Sequence, residues 1–210
     1  MGLVEDITDW FLDTFERAEQ LEYLCRSRLE NICSGAVNLP PLFIESGAYD
    51  TELETKIKSD PAFDLIYSEN KELYPHHDRY SKKDFLQEEN NKLIRELALH
   101  FSVRNNFKGI RMSGNFIYKK RGHMGWHTNS DDNTTKIYVT YTLVGGKSSF
   151  DYLDRDRNII STPDRKGFTV RQFFTGNTPD TIFWHRVRSQ TIRLSMGFTE
   201  TGKNLEKQDS

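Results

Sequence analysis

The chain has 210 residues, of which 36% are hydrophobic and 29% charged, and 29 Lys and Arg stand against 31 Asp and Glu for a formal net charge of −2. The length suits one domain over 1–210 with a sizeable core. The near balance of charge excludes a dedicated basic nucleic-acid binder, and no run of residues is apolar enough to span a membrane.

Residues 3–33 read as helix, either one long element or two broken ones. Leu3, Ile7, Trp10, Phe11, Phe15, Ala18, Leu21 and Leu24 recur at spacings of three and four. Gly35 supplies a stop. The polar face is mostly acidic, which disfavours a membrane-surface helix and suits a support helix packed on a sheet. Cys25 and Cys33 lie in this stretch, about 12 Å apart along a helix, too far for a disulfide. They read as reduced, semi-buried thiols of an intracellular protein. The N-terminus lacks a basic start followed by an apolar run, so a cytoplasmic location is expected.

Residues 36–80 are punctuated by Pro40-Pro41, Gly47, Pro61 and Pro75. Loops, a strand near Leu42–Ile44 and a short helix near 51–58 are expected there. The adjacent His76 and His77 read as surface residues of a polar loop. Ser81, with Asp84 three residues on, is placed to cap a second helix. Its apolar stripe is Phe85, Leu86, Leu93, Ile94, Leu97 and Phe101, and it ends near Asn105-Asn106. Residues 1–105 thus form a helical and mixed support region.

From residue 110 the pattern changes. Ile110–Lys120, Thr135–Val144, Ser148–Leu153, Phe168–Thr175, Thr181–His185 and Thr191–Thr199 are short β-branched or aromatic runs. Gly145-Gly146 fits a tight connection, and 154–158 and 163–167 fit longer loops. Helices followed by regularly spaced strands predict a mainly β (α+β) protein, with an all-β barrel or sandwich over 106–200 and helices against it. The tail, 201–210, is polar and expected to fray.

The chemistry concentrates in this second half. The run GHMGWHTNSDD, Gly122–Asp132, packs two histidines and two aspartates into eleven residues. His127, position 129 and the distant His185 have the layout of an oxygen-activating ferrous site, in which two ligands two residues apart meet a third from a strand brought close by barrel closure. Arg193, with Ser195 two residues on, lies in the strand after His185. A buried arginine there needs an anion, and a dicarboxylate co-substrate would supply one in bidentate geometry. His123 lies four residues before His127, but Met124 and Gly125 do not fit a helical HExxH site, so His123 reads as a rim residue. Trp126 and Trp184 flank both ligand candidates and read as core packing before pocket lining. Tyr138 and Tyr141 are three apart on one strand, so at most one faces the interior. Lys119, Lys120, Arg121, Arg186 and Arg188 bracket the histidine segments, either as a solvated rim or as a means of recruiting an anionic substrate.

These residues carry a family resemblance. Residues 114–198 resemble the catalytic core of the iron(II)- and 2-oxoglutarate-dependent dioxygenases, in the prolyl-hydroxylase-like branch. YKKRGHMGWHTN, with Tyr118, Gly122 and His127, resembles that branch's tyrosine-glycine-histidine run. WHRVRSQTIRLSMGF resembles the second metal histidine followed by the arginine strand. The resemblance implies a double-stranded β-helix core, a jelly-roll of cupin-like architecture. It implies Fe(II), 2-oxoglutarate and O2 as cofactor and co-substrates, and hydroxylation of a substrate with release of succinate and CO2. His127 and His185 would hold the metal, Arg193 and Ser195 the distal carboxylate of 2-oxoglutarate, and Tyr118 would donate a hydrogen bond to it. Asn129 stands where the family has aspartate or glutamate. Three outcomes follow: Asn129 ligates through its amide oxygen, Asp131 or Asp132 swings in, or the position stays open.

The substrate class is left open between small molecules and macromolecules, anionic ones included, with no sign of membrane and with nucleic acid neither excluded nor indicated. Two rivals remain. One is a 2-oxoglutarate-independent cupin-type metalloenzyme, although the sequence lacks that group's close H-x-H pair. The other is a non-catalytic jelly-roll binding protein with a degenerate metal site.

Overall fold

The computed structural model describes residues 4–36, 48–59, 80–81, 91–129, 133–178 and 180–201. The described residues form two antiparallel sheets with a few helices. The larger sheet comprises β1 (Glu5–Asp6), β2 (Tyr80–Ser81), β3 (Gly109–Tyr118), β5 (Thr134–Thr142), β8 (Gly167–Thr175) and β10 (Arg193–Thr201), in the order β1-β8-β5-β10-β3-β2. The smaller comprises β4 (His123–His127), β6 (Ser148–Leu153), β7 (Ile159–Pro163) and β9 (His185–Ser189), in the order β4-β9-β6-β7. The helices are α1 (Thr8–Thr14), α2 (Ala18–Cys33), α3 (Ala48–Ser59) and α4 (Asn91–Asn105). No helix among the described residues is long and apolar enough to cross a membrane.

Strand alternation sorts the larger sheet into two faces. Ile137, Val139 and Tyr141 of β5, Phe168 and Val170 of β8, and Leu194, Met196 and Phe198 of β10 face the helices. They meet Leu21, Cys25 and Leu29 of α2 and Leu93, Leu97 and Phe101 of α4, each set spaced by four and so on one helix face. The opposite face meets the smaller sheet. Tyr118 and Phe173 pack there with Met124, Phe150, Tyr152 and Val187. On the outer side of the smaller sheet, Leu53 and Ile57 of α3 cover Trp126, Leu153 and Trp184. Both tryptophans are therefore core, as expected.

Of the two forms expected for residues 3–33, the broken one is found, because Phe15 turns extended (ψ 99°) at the end of α1 and α2 starts afresh at Ala18. Other expectations are corrected. Ser81 pairs with Phe116 in β2, and residues 82–90, where the second helix is expected to start, lie outside the described residues; α4 spans Asn91–Asn105. Thr181–Trp184 is not a strand, since the amides of Thr181 and Ile182 both bond to the carbonyl of Thr178. Its apolar alternation arises because Phe183 and Trp184 enter cores on opposite sides of the smaller sheet. β4 and β7 are strands the sequence did not announce. Cys25 is buried as a free thiol, whereas Cys33 is exposed rather than semi-buried. The α2 stop is as expected: Gly35 adopts φ +79°, which any side chain would strain. The strand expected near Leu42–Ile44, His76-His77 and the tail after residue 201 lie outside the described residues.

Candidate functional site

The edge of the smaller sheet brings the two ligand candidates together. His127 closes β4 and His185 opens β9, and the two are direct partners across the antiparallel pair. Their ring centroids are 4.1 Å apart, and both side chains are buried. His127 Nδ1 lies 2.8 Å from the carbonyl oxygen of Gly125, and His185 Nδ1 lies 3.1 Å from that of Phe183. A carbonyl oxygen only accepts, so each Nδ1 carries the proton. Each Nε2 therefore presents a lone pair, the form in which imidazole binds a metal.

Asn129 joins them. Its Nδ2 lies 3.1 Å from His185 Nε2 and donates to the Tyr138 hydroxyl at 2.6 Å. Rotating the amide by 180° exchanges Oδ1 for Nδ2, and Tyr138 serves either orientation, accepting from the NH₂ or donating to the carbonyl. Tyr138 thus belongs to the site, which its sequence position alone did not establish. Its ring packs on the inner face of the larger sheet, over Gly197, where an added Cβ would come within 3.2 Å of Tyr138 Cε1. Tyr141 points the other way, into the helix-side core. Among the described residues no three His, Cys, Asp or Glu side chains converge as a metal-holding group. Among the described residues, two imidazoles and one amide converge here. Asp131 and Asp132 lie outside the described residues. His123 pairs in register with Arg188 at the far end of β4 and does not line the cavity.

A cavity of about 190 Å³ opens beside this group. Tyr118, His127, Asn129, Tyr138 and Ser195 all line it. Its volume is below the ~300–1,000 Å³ usual for sites that take drug-sized ligands.

Arg193 is where the structure departs most from expectation. It is completely buried, as expected, but the chain itself supplies an anion. Arg193 Nε donates to Asp164 Oδ2 at 2.9 Å and Nη2 to Thr140 Oγ1 at 2.9 Å. Arg171, also buried, donates to Asp164 Oδ1 at 2.6 Å, and the Ser148 hydroxyl donates to the same carboxylate. Burial pushes the Asp164 carboxyl up, but the charges of Arg193 and Arg171 and the hydrogen bonds outweigh it, holding it at about 2 against the usual 3.8. Two guanidinium groups share one carboxylate, so this trio carries one excess positive charge. Arg193 Nη1 is buried without a hydrogen-bond partner, and such a donor is costly to leave unmet. The guanidinium also sits 5.2 Å from the Tyr118 ring centre.

The flanking arginines of β9 serve the opposite face. Arg186 and Arg188 both bridge to buried Asp151, and Arg186 reaches Glu54 of α3 at 2.6 Å while stacking over Trp126. Burial raises the Asp151 carboxyl, yet Ser161, Arg186 and Arg188 hold it below its ordinary value. Arg186 ties α3 to the sheet, Arg188 binds Asp151 within it, and neither lines the cavity.

No family model matches the chain, and no curated protein does. Solved structures resemble it distantly. A Pseudomonas putida prolyl-4-hydroxylase is 11% identical at a TM-score of 0.40, covering 69% of this chain and 86% of its own. An oxidoreductase of the 2OG-Fe(II) oxygenase family from Burkholderia pseudomallei is 12% identical at 0.43, covering 77% and 94%. A Trichoplax adhaerens prolyl hydroxylase, solved with a hypoxia inducible factor oxygen degradation domain peptide fragment, is 10% identical at 0.44, covering 89% and 91%.

Proposed function

We propose that this chain is an Fe(II)- and 2-oxoglutarate-dependent oxygenase built on a double-stranded β-helix, hydroxylating its substrate with release of succinate and CO2. The observation that carries this reading is the His127–His185 pair, with both Nδ1 protons committed to backbone carbonyls and a cavity alongside. The donor set fits a ferrous ion, and the unpartnered Arg193 Nη1 beside an excess positive charge fits a carboxylate.

Bound iron and the keto acid would supply the oxidation of a C–H bond by O2. The residues of this chain supply position and charge. His127 and His185 bind through Nε2, and their carbonyl hydrogen bonds fix the rings and raise their basicity. Asn129 completes the shell through Oδ1 with its amide rotated, and Tyr138 then donates to that oxygen. Asp131 is the alternative third ligand. Arg193 and Ser195 hold the distal carboxylate, with Tyr118 beside them. Asp164 keeps Arg193 extended and at fixed height in the barrel. The small cavity suits a compact acid and leaves the oxidised substrate at its mouth.

Fe(II)-loaded protein given 2-oxoglutarate in air should form succinate, and His127→Ala should lower the rate by more than ~100-fold. Succinate no higher than in that variant contradicts the reading. A second reading is favoured by two observations: the amide at 129, and an Arg193 already paired with Asp164. A non-catalytic binding protein descended from such an enzyme would keep the cavity and fail to retain Fe(II).

A further inference from the structure

The mouth of the cavity carries a feature that the metal site does not use. Strand register fixes height along the barrel wall. On β10, Arg193 stands level with Tyr118 and Thr142, Gly197 with Gly114 and Tyr138, and Thr199 with Arg111 and Lys136. Tyr138 contacts Asn129, so the metal-binding group lies at the Gly197 level. Arg193 is four residues deeper, about 13 Å along the strand, and Thr199 is two residues further out. The proposed co-substrate anchor and the Arg111–Lys136 pair therefore lie on opposite sides of the metal-binding group.

Arg111 and Lys136 flank Thr199 on the neighbouring strands, their backbones two strand spacings or about 10 Å apart. Both line the cavity. Arg111 is exposed, and half-buried Lys136 donates to Thr199 Oγ1 at 3.1 Å. None of the described residues lining the cavity is acidic. The chain as a whole has more acidic than basic side chains, so this is not a sample of its average surface.

A β-bulge builds the pair. The register between β10 and β3 shifts after Gly197, from its partner Gly114 to Met112 opposite Phe198. Without the extra residue Met112 would stand opposite Thr199 and face the cavity. With it, Met112 packs into the helix-side core and Arg111 takes the inward place.

We infer that Arg111 and Lys136 form an oxyanion-binding site at the cavity mouth, and that the oxidised substrate carries a carboxylate or phosphate which they hold. The substrate assignment rests on the oxygenase reading; the anion site itself does not. Two cations about 10 Å apart can bracket one such group through charge-assisted hydrogen bonds, with the rest of the substrate reaching inward past Thr199 towards Asn129.

The test titrates the full chain with inorganic phosphate and with acetate, following ³¹P and ¹³C line broadening. Saturable broadening is expected, weakened at least ~10-fold by Arg111→Gln or Lys136→Gln, abolished by the double substitution and retained by Arg111→Lys. The tighter probe tells phosphate from carboxylate. In parallel, the 2-oxoglutarate concentration that half-saturates the anaerobic Fe(II) charge-transfer band is expected to change less than twofold in the double variant. No saturable broadening, or broadening that the double variant keeps, overturns the site. A tenfold or greater rise in the 2-oxoglutarate requirement overturns the substrate assignment, because the pair would then serve the co-substrate. Arg111- and Lys136-dependent broadening with no band in the wild type supports the anion site and refutes the oxygenase reading instead.

Discussion

His127 and His185 face each other across β4 and β9, and each gives its Nδ1 proton to the carbonyl two residues before it. That shared local geometry sets one tautomer on both rings and turns both Nε2 atoms into acceptors. Asn129 then occupies the third side, held by Tyr138.

The first prediction concerns that third side. Asn129→Asp replaces a neutral donor with an anionic one, so divalent-metal affinity should rise, and Mn(II) titration followed by its electron paramagnetic resonance measures it. Tyr138→Phe removes the hydroxyl that holds the Asn129 amide, and affinity should fall ~10-fold or more. Unchanged affinity in both variants would place the third ligand elsewhere, with Asp131 next to test.

Asp164 should impose a pH dependence on stability. Its carboxyl sits at about 2 in the folded protein against an ordinary 3.8. A depressed carboxyl stabilises the fold above its unfolded value and loses that contribution as pH falls through the folded one. The amount is about 2 kcal/mol, present above pH 4 and lost towards pH 2. Asp164→Asn leaves two buried guanidinium groups without their carboxylate and should cost roughly 3–5 kcal/mol at neutral pH. Urea unfolding at pH 6 and pH 3 should show the gap between wild type and variant narrowing in acid. A gap independent of pH would mean that Asp164 is not ionised in the folded state.

The same cluster shows what sequence can and cannot reveal. The strand pattern after residue 110 and the order His127, His185, Arg193, Ser195 were legible, because alternation and spacing are local. Asp164 was not. It follows β7 in a stretch read as a loop, and nothing near it announces a contact with Arg193, 29 residues on. Arg111 was hidden for a related reason: strict alternation places Met112 inward, and only the bulge reverses the two.

Docking of α3 should be measurable apart from the site. Ile57 is fully buried against the Trp126 and Trp184 cluster. Ile57→Ala should destabilise the protein by roughly 2–5 kcal/mol in chemical denaturation. Less than 1 kcal/mol would show that α3 adds little to the stability of the smaller sheet.

The two thiols should differ sharply. Burial, and then the nearby Glu22 carboxylate, push the Cys25 thiol far above its ordinary range, while Cys33 is exposed. One equivalent of thiol should react with an aromatic disulfide reagent in native buffer and two in denaturant, with Cys33→Ser removing the fast one. Two fast thiols in the native protein would contradict the packing of α2 on β5.

The most direct test is anaerobic addition of Fe(II) and then 2-oxoglutarate to the wild-type protein, followed by visible absorbance. Chelation of ferrous iron by the keto acid should give a weak charge-transfer band. The band should be lost in His127→Ala and His185→Ala, and in Arg193→Lys it should require at least ~10-fold more 2-oxoglutarate. Fe(II) that does not bind, or a band indifferent to these substitutions, would contradict the metal centre assigned to the two histidines.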